Sequence, residues 1–364
     1  MKEYRDKEII RALLKRIEEE TQGLPAPIRI MEVCGTHTMT IHKYGLKTML
    51  ETAGIEMLSG PGCPVCITPD EFHEAALDLV TKRENLVLAT FGDMTRVPTR
   101  KGSLQTAIPA PHSLIKIVYS PEEAAETARS HPEKEIVFFG VGFETTIPSI
   151  ALTVKNAASA KLANFSVLSA LWLIPPPLRA ILEAGETRIN GFLYPGHVSV
   201  IIGKKPYEFI AREYGIPGAI AGFEPSDILL GICAVLDQIK QEKPGVHIEY
   251  TRAVSPAGNP KALALMEEVL EEKDACWRGL GVIPRSGLRL KRKYSGYDAE
   301  VKYGLKISGE TSDRPGCRCG EVLRGLVSPP QCPLYSKKCI PESPRGPCMV
   351  SLEGACLVYY KYQE

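Results

Sequence analysis

The chain has 364 residues and a mass of 39.9 kDa, enough for two or three domains that each bury a core. Its 44 basic and 43 acidic residues leave a net charge of +1, so there is no electrostatic reason to expect a nucleic acid or an anionic membrane as partner. No stretch approaches about 18 consecutive apolar residues, so we expect no membrane span, no secretory leader and a cytoplasmic location.

The first segment, residues 1–25, predicts an amphipathic helix, because apolar residues recur at helical spacing among many charges. Apolar runs then alternate with amphipathic segments as far as about residue 245. The runs that predict strands are 28–33, 55–59, 86–91, 115–119, 135–141, 166–174 and 189–194. Continuous apolar strands that alternate with helices are typical of parallel sheets covered on both faces. The predicted fold class is therefore α/β.

An internal repeat divides this region. "VLATFGDMTRVP" (87–98) and "VFFGVGFETTIP" (137–148) align without a gap, and "CGTHT" (34–38) weakly resembles "YPGHVS" (194–199). These echoes predict two similar parallel-sheet α/β domains, at residues 26–118 and 119–245. In such sheets the functional loops follow the carboxyl ends of the strands. We therefore expect the glycine-rich motifs of both domains to meet in one cleft.

The composition changes in residues 246–364. A helical pattern over 259–277 is followed by a loop-like segment rich in proline and cysteine. That segment has too few large apolar residues for a core of its own, so a metal centre is the expected means of holding it together. We predict a third, smaller and cysteine-rich domain here.

The chain contains 11 cysteines, and in a reducing compartment these are more often metal ligands or redox thiols than structural disulfides. Cys233 and Cys276 stand alone in helix-like stretches and are expected to be small core residues. The late series comprises Cys317, Cys319, Cys332, Cys339, Cys348 and Cys356. Paired C-x2-C motifs and nearby histidines are absent from it, so four thiolates on a [4Fe-4S] cluster with two thiols left over fit better than zinc. Structural zinc and plain thiols remain the alternatives.

The front group consists of Cys34, after the first strand, and the C-P-V-C pair Cys63 and Cys66. Three soft ligands on two strand-end loops could hold a single Fe or Zn, and the pair could instead be redox-active. We expect an electropositive loop to lower the pKa of Cys34. His37 is either a structural histidine or a partner of that thiol.

Glu144 lies in the motif "GFETT" (142–146), which follows the strand at 135–141. A glutamate at a strand end could take or give protons at a site shared with Cys34. The alternative is an ordinary turn between strand and helix, with Glu144 in solvent.

Together, "EVCGTHT", "SGPGCPVC", "TFGDMTRVP", "GVGFETT", "YPGHVS", "AGFEP" and the late cysteine series resemble the hydrogenase maturation factor HypD family, from about residue 25 to the end. The resemblance implies a cytoplasmic scaffold, monomeric when alone, on which the Fe(CN)2CO unit of [NiFe]-hydrogenase is assembled. It implies two partners, a HypC-type small chaperone that shares the iron and a HypE-type cyanide donor. It also implies that Cys34 is the iron ligand from this chain and that Cys63 and Cys66 are its partner thiols.

The family's cluster domain resembles ferredoxin:thioredoxin reductase, and this likeness implies a division of the late cysteines. The implied cluster ligands are Cys317, Cys332, Cys339 and Cys356, and the implied redox pair is Cys319 with Cys348. Two other functions remain open from the residues alone. One is an iron–sulfur thiol–disulfide oxidoreductase that acts through Cys63 and Cys66, and the other is a purely structural zinc protein.

Overall fold

The computed structural model describes residues 3–307 and 315–362. The strands in these ranges are β1 (Ile28–Glu32), β2 (Ile55–Ser59), β3 (Leu86–Thr90), β4 (Leu114–Ile117), β5 (Glu135–Gly142), β6 (Phe165–Trp172), β7 (Gly191–Pro195), β8 (Gly218–Ala221), β9 (Val246–Ile248), β10 (Leu270–Trp277) and β11 (Gly281–Leu290). No helix in the described ranges is long and apolar enough to cross a membrane.

The helices are α1 (Lys7–Thr21), α2 (Gly35–Lys43), α3 (Leu46–Thr52), α4 (Pro64–Ile67), α5 (Asp70–Lys82), α6 (Gly92–Arg96), α7 (Pro121–Ser130), α8 (Ile147–Ser159), α9 (Pro175–Ala184), α10 (Gly196–Ile202), α11 (Glu208–Tyr214), α12 (Pro225–Lys240), α13 (Pro260–Val269), α14 (Ala299–Tyr303), α15 (Cys319–Leu323) and α16 (Ala355–Lys361). The predicted N-terminal helix is confirmed as α1. Asp6 caps it by accepting hydrogen bonds from the backbone N–H groups of Glu8 and Ile9.

All seven predicted strands are confirmed as β1–β7, with ends that differ by one or two residues. Their sequences are apolar throughout because most of these strands are covered on both faces. Every residue of β3 and of β6 is buried, whereas the edge strand β4 is largely exposed. Burial on both faces is typical of strands in the middle of a parallel sheet.

Two sheets carry the fold. The first has the order β2-β1-β7-β8-β9 and is parallel throughout. The second has the order β10-β11-β6-β5-β3-β4, in which the antiparallel hairpin β10–β11 joins four parallel strands. The α/β class is confirmed, with one mixed sheet.

Sheet membership does not follow the predicted boundaries. Each sheet takes strands from both sides of residues 118 and 119, and β9, β10 and β11 come from the segment assigned to the cysteine-rich domain. The two members of each repeated pair of motifs follow neighbouring strands of the same sheet. β1 pairs with β7 in the first sheet, and β3 pairs with β5 in the second. The division into folding domains stays a prediction, and residues 1–2, 308–314 and 363–364 of its terminal segments lie outside the described ranges.

The strand order reverses once in each sheet. In the first sheet the chain moves outward from β1 to β2 on one side and from β7 to β8 on the other, so the reversal lies between β1 and β7. In the second sheet it lies between β3 and β5. Ligands of open α/β sheets bind outside the carboxyl ends of the strands at such reversals. The loops after these four strands are therefore the first place to look for a site.

The helix predicted over 259–277 is wrong in its second half. α13 ends at Val269, and β10 follows it directly. β10 pairs with β11 from Leu270, opposite Leu290, to Trp277, opposite Gly281. This pairing buries Trp277 fully and outweighs the helix propensity of the Glu, Lys and Ala residues between.

The two isolated cysteines have different surroundings. Cys233 lies on α12 and is buried in the core, as predicted. Cys276 lies on β10 rather than on a helix and is only partly buried.

Residues 315–362 contain only short helices and turns. α16 packs against α2, where the rings of Tyr359 and His42 lie 4.0 Å apart. A small cluster around Tyr335, Met349 and Leu357 forms the apolar interior of this segment. The segment therefore packs on α2, the helix that begins in the motif "CGTHT".

Candidate functional site

Cys34 connects β1 to α2. It is the residue that caps the helix, and its carbonyl accepts hydrogen bonds from the N–H groups of His37 and Thr38. Its own N–H donates to Glu32 Oε2 at 2.9 Å, and the Thr38 hydroxyl donates to Glu32 Oε1 at 2.6 Å. The Glu32 carboxyl therefore fixes both ends of the turn that presents the Cys34 thiol.

The loop "SGPGC" lies directly against Cys34. The N–H of Gly35 donates to the carbonyl of Gly62 at 3.2 Å. A Cβ atom on Gly62 would lie 2.4 Å from the Cys34 nitrogen, which is closer than real Cβ contacts come. Only glycine allows this approach of the two loops.

Four sequence motifs and the C-terminal segment enclose a cavity of about 140 Å³ beside Cys34. Its lining residues are Val33, Cys34, Gly62, Pro64, Phe143, Thr145, Thr146, Pro195, His197, Val198 and Glu353. The walls include the loops after β1 and β7, at the strand reversal of the first sheet, and the loop after β5, at that of the second. The strand-end loops thus meet in one cleft, as the sequence predicts. We call this space the Cys34 cavity.

Cys63 and Cys66 are joined by a disulfide, and both are buried. They stand at the start of the short helix α4, where the Cys66 N–H points at Cys63 Sγ at 3.2 Å. A disulfide offers no thiolate to a metal, so the shared Fe or Zn site of Cys34, Cys63 and Cys66 stays a prediction that requires this disulfide to be reduced. Of these three sulfurs, only Cys34 lines the Cys34 cavity.

His37 is fully buried on α2 and turned away from the Cys34 cavity. Its Nε2 lies 2.9 Å from the Gly222 carbonyl, so the ring donates a hydrogen bond there. Its Nδ1 has no partner among the described residues, and burial lowers its pKa to about 4. The histidine that lines the cavity is His197, stacked on Phe223 at 3.8 Å.

Glu144 is placed differently from its neighbours in "GFETT". Phe143, Thr145 and Thr146 line the Cys34 cavity, but Glu144 lines a separate and larger cavity. Its side chain is 99% buried, and Oε1 accepts a hydrogen bond from the Ile174 N–H at 3.0 Å. Glu144 is therefore neither in solvent nor in the cavity of Cys34.

The electrostatics of Cys34 are opposite to the expectation from sequence. Burial raises the pKa of Cys34 to about 12, and the nearby Glu353 carboxylate raises it further. Burial also raises the pKa of Glu32 to about 7. The expected lowering of the Cys34 pKa is wrong, because the thiol is buried and its nearby charged groups are the carboxyls of Glu353 and Glu32 rather than cations. The free thiol is protonated at neutral pH.

Glu353 is a site residue that sequence reasoning missed. A Cβ on Gly35 would lie 2.3 Å from the Glu353 Cβ, and the Thr36 hydroxyl donates to Glu353 Oε1 at 3.1 Å. No local pattern in the sequence distinguishes it from other surface glutamates. Only the packing of the C-terminal segment against α2 brings it to Cys34.

The motif "TFGDMTRVP" holds this segment in place. Arg96 donates to the Val350 carbonyl at 3.0 Å, and Asp93 Oδ2 accepts from the Leu352 N–H at 3.3 Å. We call these two hydrogen bonds the α6 latch. The motif acts on the site through residues about 250 positions later in the chain.

All six late cysteines line one small cavity of about 20 Å³. Cys319 Sγ and Cys348 Sγ are 3.3 Å apart. Within residues 3–307 and 315–362, no group of three or more His, Cys, Asp or Glu side chains is already arranged around a common metal position. The donor set consists of thiols alone, without histidine, and suits iron–sulfur chemistry.

The two sulfur groups are connected through the tip of the β10–β11 hairpin. Arg278 donates its backbone N–H to the Ile67 carbonyl at 2.8 Å, and its guanidinium forms a buried ion pair with Asp70 at 2.7 Å. Gly279 packs against Gly320, beside Cys319. The turn that contains Cys348 also packs against α4, which carries Cys66. The late cysteines therefore adjoin the C-P-V-C disulfide.

Comparisons with known proteins agree with this geometry. The family model HypD, described as "Hydrogenase formation hypA family", matches residues 8–363. The chain is 43% identical to the hydrogenase maturation factor HypD of Rhodobacter capsulatus, over 99% of this chain and 97% of that protein. It is 40% identical to those of Cupriavidus necator and Escherichia coli, over 100% of this chain and 96% and 97% of theirs. The chain therefore belongs to the HypD family and has a role in hydrogenase maturation.

Proposed function

We propose that this protein is a cytoplasmic scaffold on which the Fe(CN)2CO unit of [NiFe]-hydrogenase is assembled. The observation that carries the proposal is the Cys34 cavity, in which one thiol stands among glycine-rich loops from both sheets. The volume of about 140 Å³ suits a single iron with small ligands rather than an organic substrate. A HypC-type chaperone would supply a second sulfur to the iron, and a HypE-type donor would supply cyanide.

Cys34 holds the iron as a thiolate in this proposal. Because the free thiol has a pKa of about 12, its proton leaves as the sulfur–iron bond forms. Glu353 lines the same cavity and accepts that proton, since its oxygen is already beside the CGTHT turn. Gly62 lets its loop pack against the Cys34 backbone, and His197 lines the same cavity.

The late cysteines fit a [4Fe-4S] cluster, and we propose Cys317, Cys332, Cys339 and Cys356 as its ligands. When bound, the cluster would supply electrons to sulfur. Cys319 and Cys348 are assigned as the redox pair because their sulfurs lie together at 3.3 Å. The contact between the Cys348 turn and α4 provides a short path to the Cys63–Cys66 disulfide. Once reduced, Cys63 and Cys66 could then support chemistry at the iron that Cys34 holds.

Infrared spectroscopy of the complex purified with its HypC-type partner tests the scaffold function, because bound CN and CO absorb where protein is nearly transparent. Cys34→Ser should fold, keep its brown chromophore and lose the CN and CO bands. Cys276→Ser, which removes a partly buried thiol from β10, is the control and should keep them. Persistent CN and CO bands in Cys34→Ser would refute Cys34 as the iron ligand.

A thiol–disulfide oxidoreductase is the second candidate, favoured by the disulfide next to the Cys348 turn. This function predicts turnover of a disulfide substrate by the isolated protein when an external electron donor is supplied, without any maturation partner. Cys63→Ser should abolish that turnover, whereas Cys34→Ser should leave it unchanged. The absence of turnover in the wild-type protein would exclude this function.

A further inference from the structure

A cavity with a volume of about 1120 Å³ has no cysteine in its lining. It is enclosed by α9, α13, the turn at residues 205–207 and the β10–β11 hairpin. Leu173, Ile202, Phe209, Met266 and Leu288 supply much of its apolar wall. We call it the apolar cleft. Small-molecule sites in proteins are typically apolar cavities of roughly this size with a few polar groups.

Glu144 is the buried polar group of the apolar cleft. Oε1 accepts from the Ile174 N–H at 3.0 Å, and Oε2 is buried without a partner in the described part of the chain. A buried polar atom without a partner is costly, so such atoms are few in folded proteins. The structure thus leaves Glu144 Oε2 with unsatisfied hydrogen-bonding capacity at the wall of the cleft.

The charged side chains that line the cleft, apart from Glu144, balance in number, with four cations and four carboxylates: Arg179, Lys205, Arg285, Lys291, Glu183, Glu267, Glu271 and Glu272. Arg179 pairs with Glu213 at 2.6 Å, and Arg285 pairs with Glu272 at 2.5 Å. These partners leave little net charge to select an ionic ligand. The cleft is therefore suited to a neutral molecule whose body is apolar.

We propose that the apolar cleft is a binding site for a neutral small molecule that places a carbonyl-type oxygen against Glu144 Oε2. Burial raises the pKa of Glu144 to about 8, so at pH 7 the carboxyl is mostly protonated and Oε2 can donate. The ligand oxygen then completes the hydrogen bonding of a side chain that Ile174 already orients. The site lies outside the Cys34 cavity and shares no lining residue with it, although the loop at residues 143–146 and helix α10 border both.

The neutral naphthyl ketone Prodan is a suitable probe for the full-length protein, because its emission reports both apolar surroundings and hydrogen bonding to its carbonyl. Wild-type protein should bind it saturably at pH 7 with a blue shift. Ala180→Trp, which fills the cleft from α9, should weaken binding at least fivefold. Leu152→Trp, on α8 and 47% exposed outside the cleft, is the matched control and should bind as wild type does.

Three further measurements isolate the hydrogen bond. Glu144→Gln retains an acceptor for Ile174 and a donor for the ligand, so it should bind Prodan within twofold of wild type. Glu144→Met removes the donor and should bind about fivefold more weakly, the effect of one neutral hydrogen bond. Dimethylaminonaphthalene, which lacks the ketone, should bind wild type and Glu144→Met equally.

The proposal is overturned if Prodan shows no saturable binding or if Ala180→Trp binds it as well as wild type. It is also overturned if the ratio of the affinities for Prodan and dimethylaminonaphthalene is the same in Glu144→Met as in wild type. A Glu144→Gln variant that binds the ketone several-fold more tightly than wild type would show an ionised Glu144 and refute the donor assignment.

Discussion

The two sulfur groups of this protein are positioned by different means. Cys34 is fixed by backbone hydrogen bonds, by the Glu32 carboxyl and by the close packing of Gly62, all on loops between strands and helices of a large core. The six late cysteines lie in a segment of short helices and turns, where the cysteines themselves form much of the interior. The first site is built by the fold, whereas the second is expected to depend on the cluster that we propose for its sulfurs.

The largest expected effect tests that dependence. Cys339→Ala removes a proposed cluster ligand from a segment with little other interior. It should abolish the brown chromophore and make residues after about 300 sensitive to protease, because metal binding and folding are coupled in such segments. Iron and sulfide counts with limited proteolysis are the measurements. Full cluster content in the variant would contradict the assignment of Cys339 as a ligand. A segment that stays protease-resistant without the cluster would show that its fold does not depend on the cluster.

Gly62→Ala should damage the Cys34 site while leaving every sulfur in place. Its added Cβ would meet the Cys34 backbone at 2.4 Å, and relief of such a clash costs about 1–3 kcal/mol. We expect a thermal midpoint several degrees lower and weaker CN and CO bands, with normal cluster content. Gly92→Ala is the control, because the nearest atom to its added Cβ is 3.8 Å away. If both variants behave like wild type, the close approach of the loops does not position Cys34.

The stability of the α/β region should depend on pH through Glu144. Its pKa is about 8 in the folded chain against an ordinary value of 4.5, so the folded state binds the extra proton between these values. The free energy of unfolding therefore falls as pH rises from about 5 to 8, by up to about 1.4 kcal/mol per pH unit. Glu144→Gln lacks this titration. Its thermal midpoint relative to wild type should rise over that range and then level off. A constant difference would mean that Glu144 is not protonated in the folded chain.

The smallest effect concerns the contact between the two regions. Replacing Asp93 and Arg96 together by Ala removes both hydrogen bonds of the α6 latch, each worth about 1 kcal/mol. Labelling of Cys34 by iodoacetamide, followed by mass spectrometry, should accelerate several-fold as Glu353 moves away, with the cluster retained. Lys101→Ala, which breaks only the surface pair with Asp78, should not change the rate. Equal rates would show that the latch does not hold the cavity closed.

Local patterns predicted the parts of the fold that local forces decide. The runs that became β1–β7 are apolar because they are buried on both faces, and the loops after them carry the motifs. β8 was not predicted, since Gly218–Ala221 contains small residues with little strand signal. β10 was read as helix because its charges favour a helix until β11 pairs with it. The assignment of strands to the two sheets was also not predicted, because the sequence of a strand does not show which distant strand it pairs with.

The site shows the same limit. Sequence reasoning singled out Cys34, Cys63 and the GFETT loop. The three loops that carry them do meet at the Cys34 cavity. The direction of the Glu144 side chain depends on its hydrogen bond with the Ile174 N–H, 30 residues later in the chain. The sequence therefore could not predict that Glu144 lines a different cavity from its neighbours in the loop. The raised pKa of Cys34 follows first from burial and then from Glu353, and both the burial and the proximity of Glu353 arise only in three dimensions.

The position of Glu353 in the chain has a consequence for synthesis on the ribosome. Every other wall of the Cys34 cavity is complete once residue 198 has been translated, but the covering segment follows much later. During that interval the nascent chain can pair β1 with β7 and β3 with β5 while the Cys34 thiol is not yet covered by the C-terminal segment. Under the proposed function, loading of iron before residue 353 is translated would lack both the proposed proton acceptor and the contact with Gly35. The proposed function therefore predicts that a chain captures iron only after residue 353 has been made.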